Sequence, residues 1–264
     1  MRRIASLMAA TAAVGIASAA SAADLGLPVK AGPPVAAYPW GGCYIGAQLG
    51  GGVMSDTWAS DYDGHDYRGA GWIAGGQVGC NYQTNWHVWG GAFVVGIEGE
   101  GMWSSLQNTA CYNSGPLSCD TEGVKYTTRN NWDFDIAARF GLGFEQTLIY
   151  SKIGAVWGGF KFSQTQPSDD FYVATGSATL PGFLLGLGVE YIFLPNWTVK
   201  LEYDYMQFVT QTVHFNASFA GVPDVFDNFT SPESATKQII KLGVNYKFDW
   251  ANWGKAPPVL MTKD

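Results

Sequence analysis

The chain has 264 residues, with 34 glycines, 15% aromatic residues, only 14% charged residues and a formal net charge of −7. That glycine load is well above the usual ~7%, and glycine with aromatics favours closely packed β-structure over helices. An acidic chain without Lys/Arg runs is excluded from the nucleic-acid binders. Past the N-terminal stretch no apolar run reaches the ~18 residues of a spanning helix, so any membrane crossing is made by strands.

Residues 1–22 read as a secretory signal peptide. Arg2 and Arg3 form the positive end, residues 4–19 the apolar run, and Ala20, Ser21 and Ala22 an A-x-A site, with cleavage after Ala22 or Ala23. Loss of Arg2 and Arg3 takes the mature chain from −7 to −9. Residues 23–40 carry Pro28, Pro33, Pro34 and Pro39 and read as an extended tether. Residues 41–250 form one domain, and 251–264 a tail.

The domain repeats one pattern. A first strand at 43–54 sets Cys43, Ile45, Ala47 and Leu49 on one face, and a second at 70–82 sets Trp72, Ala74, Val78, Cys80 and Tyr82. The third, 87–103, turns Phe93, Val95, Ile97 and Trp103 one way and Glu98 and Glu100 the other. The fourth, 132–144, alternates strictly. Trp132, Phe134, Ile136, Ala138, Phe140, Leu142 and Phe144 share a face opposite Asp133, Asp135, Ala137, Arg139, Gly141 and Gly143. A fifth at 147–162 has Ile149, Ile153, Ala155 and Trp157 outward and Lys152 inward, with room for a bulge. The sixth, 181–193, opposes Phe183, Leu185, Leu187, Val189, Tyr191 and Phe193 to Glu190. The seventh, 196–210, opposes Trp197, Val199, Leu201, Tyr203 and Tyr205 to Lys200, Glu202 and Asp204. The eighth, 236–248, opposes Ile240, Leu242, Val244, Tyr246 and Phe248 to Lys241, Asn245 and Lys247.

Soluble strands average about five or six residues, whereas a tilted bilayer-crossing strand needs about nine to eleven. The connections alternate short (83–86, 145–146, 194–196) with long and polar (55–69, 104–128, 163–180, 211–235). Turns on one side and loops on the other, with an apolar exterior and a polar lumen, predict an eight-stranded antiparallel up-and-down transmembrane β-barrel, both termini periplasmic. Two aromatic girdles are expected. One holds Trp40, Tyr44, Tyr82, Trp86, Phe144, Phe193, Trp197, Tyr246 and Phe248; the other holds Trp58, Trp72, Trp103, Trp132, Trp157 and Phe208.

The leader, the segment A-D-L-G-L-P-V-K at 23–30, W-G-G-C-Y-I-G at 40–46 and G-V-N-Y-K-F-D-W at 243–250 resemble the small outer-membrane β-barrel surface antigens of the porin-like, opacity-type family. The resemblance implies a bacterial outer-membrane location and spans the whole chain. The chain departs from it at Cys43, where the family usually has a bulky aromatic, and in the tail beyond Trp250. If assembly reads an aromatic C-terminal strand, Tyr246 and Phe248 must supply the signal.

Four cysteines in an exported chain point to disulfides. Cys43 and Cys80 stand 19 and 18 residues either side of Tyr62, so a hairpin sets them opposite each other; Cys111 and Cys119 can close a ring in the second loop. No His stands at ligand spacing to either pair, so no zinc site is expected. The predicted lumen holds Glu98, Glu100, Asp133, Asp135, Glu190, Glu202 and Asp204 against Arg139, Lys152, Lys200, Lys241 and Lys247. Such a lumen is about filled by side chains. It is either a charged plug or a narrow cation path.

Other motifs carry little. Residues 61–66 (D-Y-D-G-H-D) lack the full spacing of a calcium loop, and His65, His87 and His214 are scattered without an evident nucleophile. No cofactor is expected. The expected role is structural and surface-exposed; a cation-preferring diffusion channel and a barrel enzyme acting on lipids are the alternatives. Expected partners are outer-membrane lipids and lipopolysaccharide, the barrel-assembly machinery, and host or envelope ligands at the loops. Loop acids (Asp56, Asp61, Asp63, Asp66, Asp120, Glu122, Asp169, Asp170, Asp224, Asp227 and Glu233) are expected to bridge to lipopolysaccharide phosphates through divalent cations.

Overall fold

The computed structural model describes residues 40–56, 68–112, 124–166, 172–219 and 222–248. The signal peptide, nearly all of the tether, the tail, Trp58, the 61–66 motif and Cys119 lie outside them. The strands are β1 (Gly42–Asp56), β2 (Gly69–Val88), β3 (Gly91–Ser104), β4 (Gln107–Tyr112), β5 (Val124–Phe144), β6 (Thr147–Gln166), β7 (Tyr172–Leu194), β8 (Trp197–Phe208), β9 (Gln211–Phe219), β10 (Val222–Glu233) and β11 (Ala235–Phe248).

Eight of them close a ring. β1 pairs β2, β2 pairs β3, β3 pairs β5, and the order continues through β6, β7, β8 and β11 back to β1, every pairing antiparallel. Closure removes both sheet edges. The remaining strands are continuations at the loop end: β4 prolongs β3 and pairs β5, while β9 and β10 prolong β8 and β11 and continue from β7.

Much of what reads as long loop is therefore strand, which corrects the ranges 104–128, 163–180 and 211–235. The reason is in the side chains. Tyr126, Thr128, Ala174, Val213, Phe215 and Ala217 alternate with mostly polar residues and bury their own face. Composition disguised this, because the other face is rich in Ser, Thr, Asn and Gln. β5 and β7 run to 21 and 23 residues, about twice a bilayer crossing, so the barrel projects beyond the membrane.

The apolar band has a sharp upper limit. Along β5 every second residue from Trp132 to Phe144 faces out, with Trp132, Phe134, Ile136 and Phe140 all 40–44% exposed. Twelve steps at ~3.3 Å, tilted ~40°, give about 30 Å, close to a hydrocarbon core. Above Trp132 the outward residues are polar: Arg129, Lys161, Thr175 and Ser177. That change rests on an irregularity, since the β5–β6 register shifts between Asn130 and Trp132. Inward residues are odd-numbered below it (Asp133, Asp135) and even-numbered above it (Asn130, Thr128, Tyr126). The bulge sits opposite the strand where the alternation is least regular.

At the other end the turns are tight. The first is not at 83–86 but at Trp89 and Gly90, both at positive φ (50° and 84°), as a type I′ hairpin requires. Turns at 145–146 and 195–196 place Glu145 and Asn196 at positive φ.

Candidate functional site: the layered lumen

The lumen is built in three layers. At the turn end, Trp40, Val94, Leu148, Tyr150 and Ile192 form a small apolar floor. Trp40 is 1% exposed; a Cβ on Gly143 would run into its ring, so that glycine makes the space it fills. Lys247 stands at this mouth, its ammonium 5.2 Å from the Trp40 ring centre. Trp40 and Tyr44 are thus not membrane-interface residues, as their place near a strand end implied. Trp40 precedes the first strand and folds back as a floor; Tyr44 has the parity of Gln48 and points inward.

The middle layer is ionic. Tyr44 donates to Glu98 Oε2 at 2.6 Å and accepts from Arg139. Arg139 reaches Glu190 at 2.8 Å and lies 3.9 Å over the Tyr150 ring, while Tyr150 donates to Glu202 at 2.5 Å. Thr198 and Asn245 donate to the second oxygen of Glu190, at 2.5 and 2.9 Å, and Gln77 donates to Asn245 at 2.7 Å. At the centre three lysines meet four carboxylates. Lys152 lies 3.0 Å from Glu100 and 2.8 Å from Glu202; Lys200 lies 2.9 Å from Glu100. Lys241 lies 2.7 Å from Glu202 and 2.5 Å from Asp204, and also pairs with Glu100. Oxygens of Glu98, Glu100 and Glu202 approach closely enough to share a cation, and the ammonium of Lys200 stands within 3.6 Å of all three.

Every sequence-predicted charge of the network except Lys247 is buried in this layer or just above it. Sequence reading missed Lys237, which pairs with Asp133 and donates to Asn130 at 2.9 Å. It has the parity of Lys241, so alternation alone placed it inside. Seven acids (Glu98, Glu100, Asp133, Asp135, Glu190, Glu202, Asp204) face five bases (Arg139, Lys152, Lys200, Lys237, Lys241), an excess of two acids. Asp135 is 0% exposed and neither oxygen accepts a hydrogen bond.

The upper layer is apolar, against the expectation of a polar lumen throughout. Met54, Ile73, Met102, Leu106, Val156, Phe160, Phe162, Leu184, Met206, Phe208, Phe215 and Ile239 belong to one buried cluster. Phe160 meets Phe208 edge-on at 5.0 Å, and Phe162 meets Phe215 at 6.1 Å. Phe208 is therefore a lumen residue and not part of a girdle. Asp56 and Glu233 are buried too, not exposed loop acids; Asp56 accepts from Asn108 at 3.1 Å.

On the outside, Trp197 meets Tyr246 and Tyr246 meets Phe248 edge-on at the turn end, and Trp86 is exposed close in sequence to the turn at Trp89 and Gly90. Trp72, Trp103, Trp132 and Trp157 face outward towards the loop end. Cys43 and Cys80 are direct cross-strand partners and form a disulfide on this outer face. The Cys111–Cys119 pairing, and the side chains of Asp224 and Asp227, fall outside the described residues. His87 lies by the turn end and His214 in the loop-end extension, so the two cannot share a site.

A family model described as outer membrane protein beta-barrel domain matches residues 9–248. The 31 kDa outer-membrane immunogenic proteins of Brucella melitensis and Brucella suis are each 28% identical over 260 residues, spanning 92% of this chain and 99% of theirs. Among solved structures, the attachment invasion locus protein Ail of Yersinia pestis is 13% identical with a TM-score of 0.37, over 78% of this chain and 99% of its own. A major outer membrane protein of Thermus thermophilus is 12% identical with a TM-score of 0.47, over 78% and 99%. A closed antiparallel ring with an apolar outer band and a family match over nearly its whole described length together place the chain in the outer membrane protein β-barrel domain family.

Proposed function

We propose that this outer-membrane protein is a closed, non-enzymatic barrel with a structural role in the cell envelope, holding a rigid strand extension and its loops at the cell surface. The observation that carries this reading is the layered lumen. An ion entering from the loop end meets a packed aromatic plug; one entering from the turn end meets Trp40; between them every lysine is bound to carboxylates. An eight-stranded interior has little room beyond its side chains, and these fill it.

The chain would be exported by its signal peptide, with the turns and both termini in the periplasm and the extension outside. Relatives named as immunogenic outer-membrane proteins support surface presentation. The two-acid excess favours the alternative of a cation path, should the lumen open. Two measurements test the proposal. An epitope inserted at residue 169 is expected to bind antibody on intact cells; binding only after permeabilisation would reverse the orientation. Vesicles carrying the folded protein are expected to retain potassium; rapid release would refute a closed lumen.

A further inference from the structure

The outer wall of the extension carries an unexplained pair of cations. Arg129 and Lys161 are direct cross-strand partners on β5 and β6, both exposed and both outward. Without the bulge at residue 131, Arg129 would share the inward parity of Asp133. Like charges directly opposite on neighbouring strands repel, so the arrangement calls for a counter-charge. The chain supplies none among the described residues. Arg129 donates through Nε and Nη2 to the neutral Oε1 of Gln107, at 3.1 and 2.7 Å, and among the described residues neither cation is in an ion pair. The acids whose side chains are described are buried inside the barrel, except Glu145 at the turn end.

The two cations flank a groove of about 650 Å³. Thr127, Ser163, Thr175 and His214 also line it and add hydrogen-bonding groups. Below it a second depression is lined by Lys161, Gly159 and Trp132, so the polar groove runs down to the edge of the apolar band. Arg129 is three residues beyond Trp132. At ~3.3 Å per residue and ~40° of tilt it stands roughly 8 Å above the girdle, the depth of lipid headgroups.

We propose that this groove binds a phosphate of an outer-leaflet phosphoglycolipid. Arg129 and Lys161 pair with the phosphate, the hydroxyls of Thr127, Ser163 and Thr175 meet its sugar, and the acyl chains lie along Trp132 and Phe134. Charge-assisted contacts to phosphate are the strong ones, and basic pockets at a membrane surface recognise anionic headgroups. The contact is direct, unlike a divalent bridge from loop acids. It rests on the proposed orientation, which puts this wall in the outer leaflet.

The test is a titration of the folded barrel, in detergent with EDTA, against bisphosphorylated lipid A and against dephosphorylated lipid A. Wild type is expected to bind the bisphosphorylated form at least tenfold more tightly, and the double variant Arg129→Gln, Lys161→Gln to lose that preference. Folding of each variant is read from the heat-induced gel shift; both positions are exposed, and Lys161→Gln alone serves if the double variant does not fold. Equal binding of both lipids by wild type would overturn the proposal. So would a preference that appears only when the titration is repeated without EDTA and with magnesium, which would return it to cation bridging. Inorganic phosphate binding as tightly as lipid A would make the groove a site for a soluble anion and also overturn it. The titration reads the outer wall in vitro, so it can fail with the lumen closed and the loops outside, and succeed with either of those wrong.

Discussion

Arg139 joins two strands across the lumen: its Nη2 lies 2.8 Å from Glu190 Oε2, 51 residues away in sequence. Both side chains are buried, and the guanidinium also faces Glu98 at 3.5 Å. Removing one member of a buried ion pair typically costs about 3–5 kcal/mol, because the partner is left charged and dry. Arg139→Leu is expected to destabilise by that amount in urea unfolding from lipid vesicles. The double change Arg139→Leu, Glu190→Leu should cost less than the two single changes together, since the orphaned charge at 190 is gone. Additive costs would show that the pair is not coupled.

Asp135 and Asp204 are both buried acids of the ionic layer, yet they should respond differently to amidation. Asp204 is ion-paired, 2.5 Å from Lys241 and 3.6 Å from Lys152, whereas Asp135 is in no ion pair among the described residues and belongs to the side in excess. Asp204→Asn is expected to destabilise by roughly 2–3 kcal/mol. Asp135→Asn should be neutral or stabilising by about 1 kcal/mol, as relief of like-charge crowding. Unfolding midpoints of the two variants, measured side by side, check the order.

The disulfide closes a separation of 37 residues. Chain entropy alone gives about 4 kcal/mol for a loop of that size. Cys43→Ala, Cys80→Ala should lower stability by roughly 2–4 kcal/mol and still form the barrel, because β1 keeps its ladders to β2 and β11. A folded double variant with an unchanged midpoint would remove the disulfide from the stability account.

The aromatic plug offers a separate test. Phe160 and Phe208 are buried against each other at 5.0 Å, and truncating either to alanine should cost about 3–5 kcal/mol. Neither truncation is expected to let ions through, since the ionic layer below is untouched. Potassium release from vesicles carrying Phe208→Ala would show that the plug alone closes the lumen.

The barrel was legible because alternation survives wherever lipid faces one side: residues 132–144 assign each outward side chain correctly. The Cys43–Cys80 bond followed from hairpin symmetry in an exported chain, with both cysteines on the apolar face of their strands. Four things were less visible. Trp40 lies before the first strand, so no period reached it, and an aromatic at a strand end suits a girdle as well as a floor. Tyr44 and Lys237 were within reach of parity, through Gln48 and Lys241, but the weight given to residue type hid them. The bulge at residue 131 left no compositional mark, yet it decides that Arg129 points out. The upper lumen was masked because Tyr126, Val213 and Phe215 alternate with residues common in loops.

Single-channel recording of the folded protein in a planar bilayer tests the closed lumen most directly. The layered packing predicts a flat trace from protein whose gel mobility still shifts on heating. Discrete opening steps, altered in size or selectivity by Glu98→Gln or Glu100→Gln, would contradict it and make the ionic layer the lining of a pore.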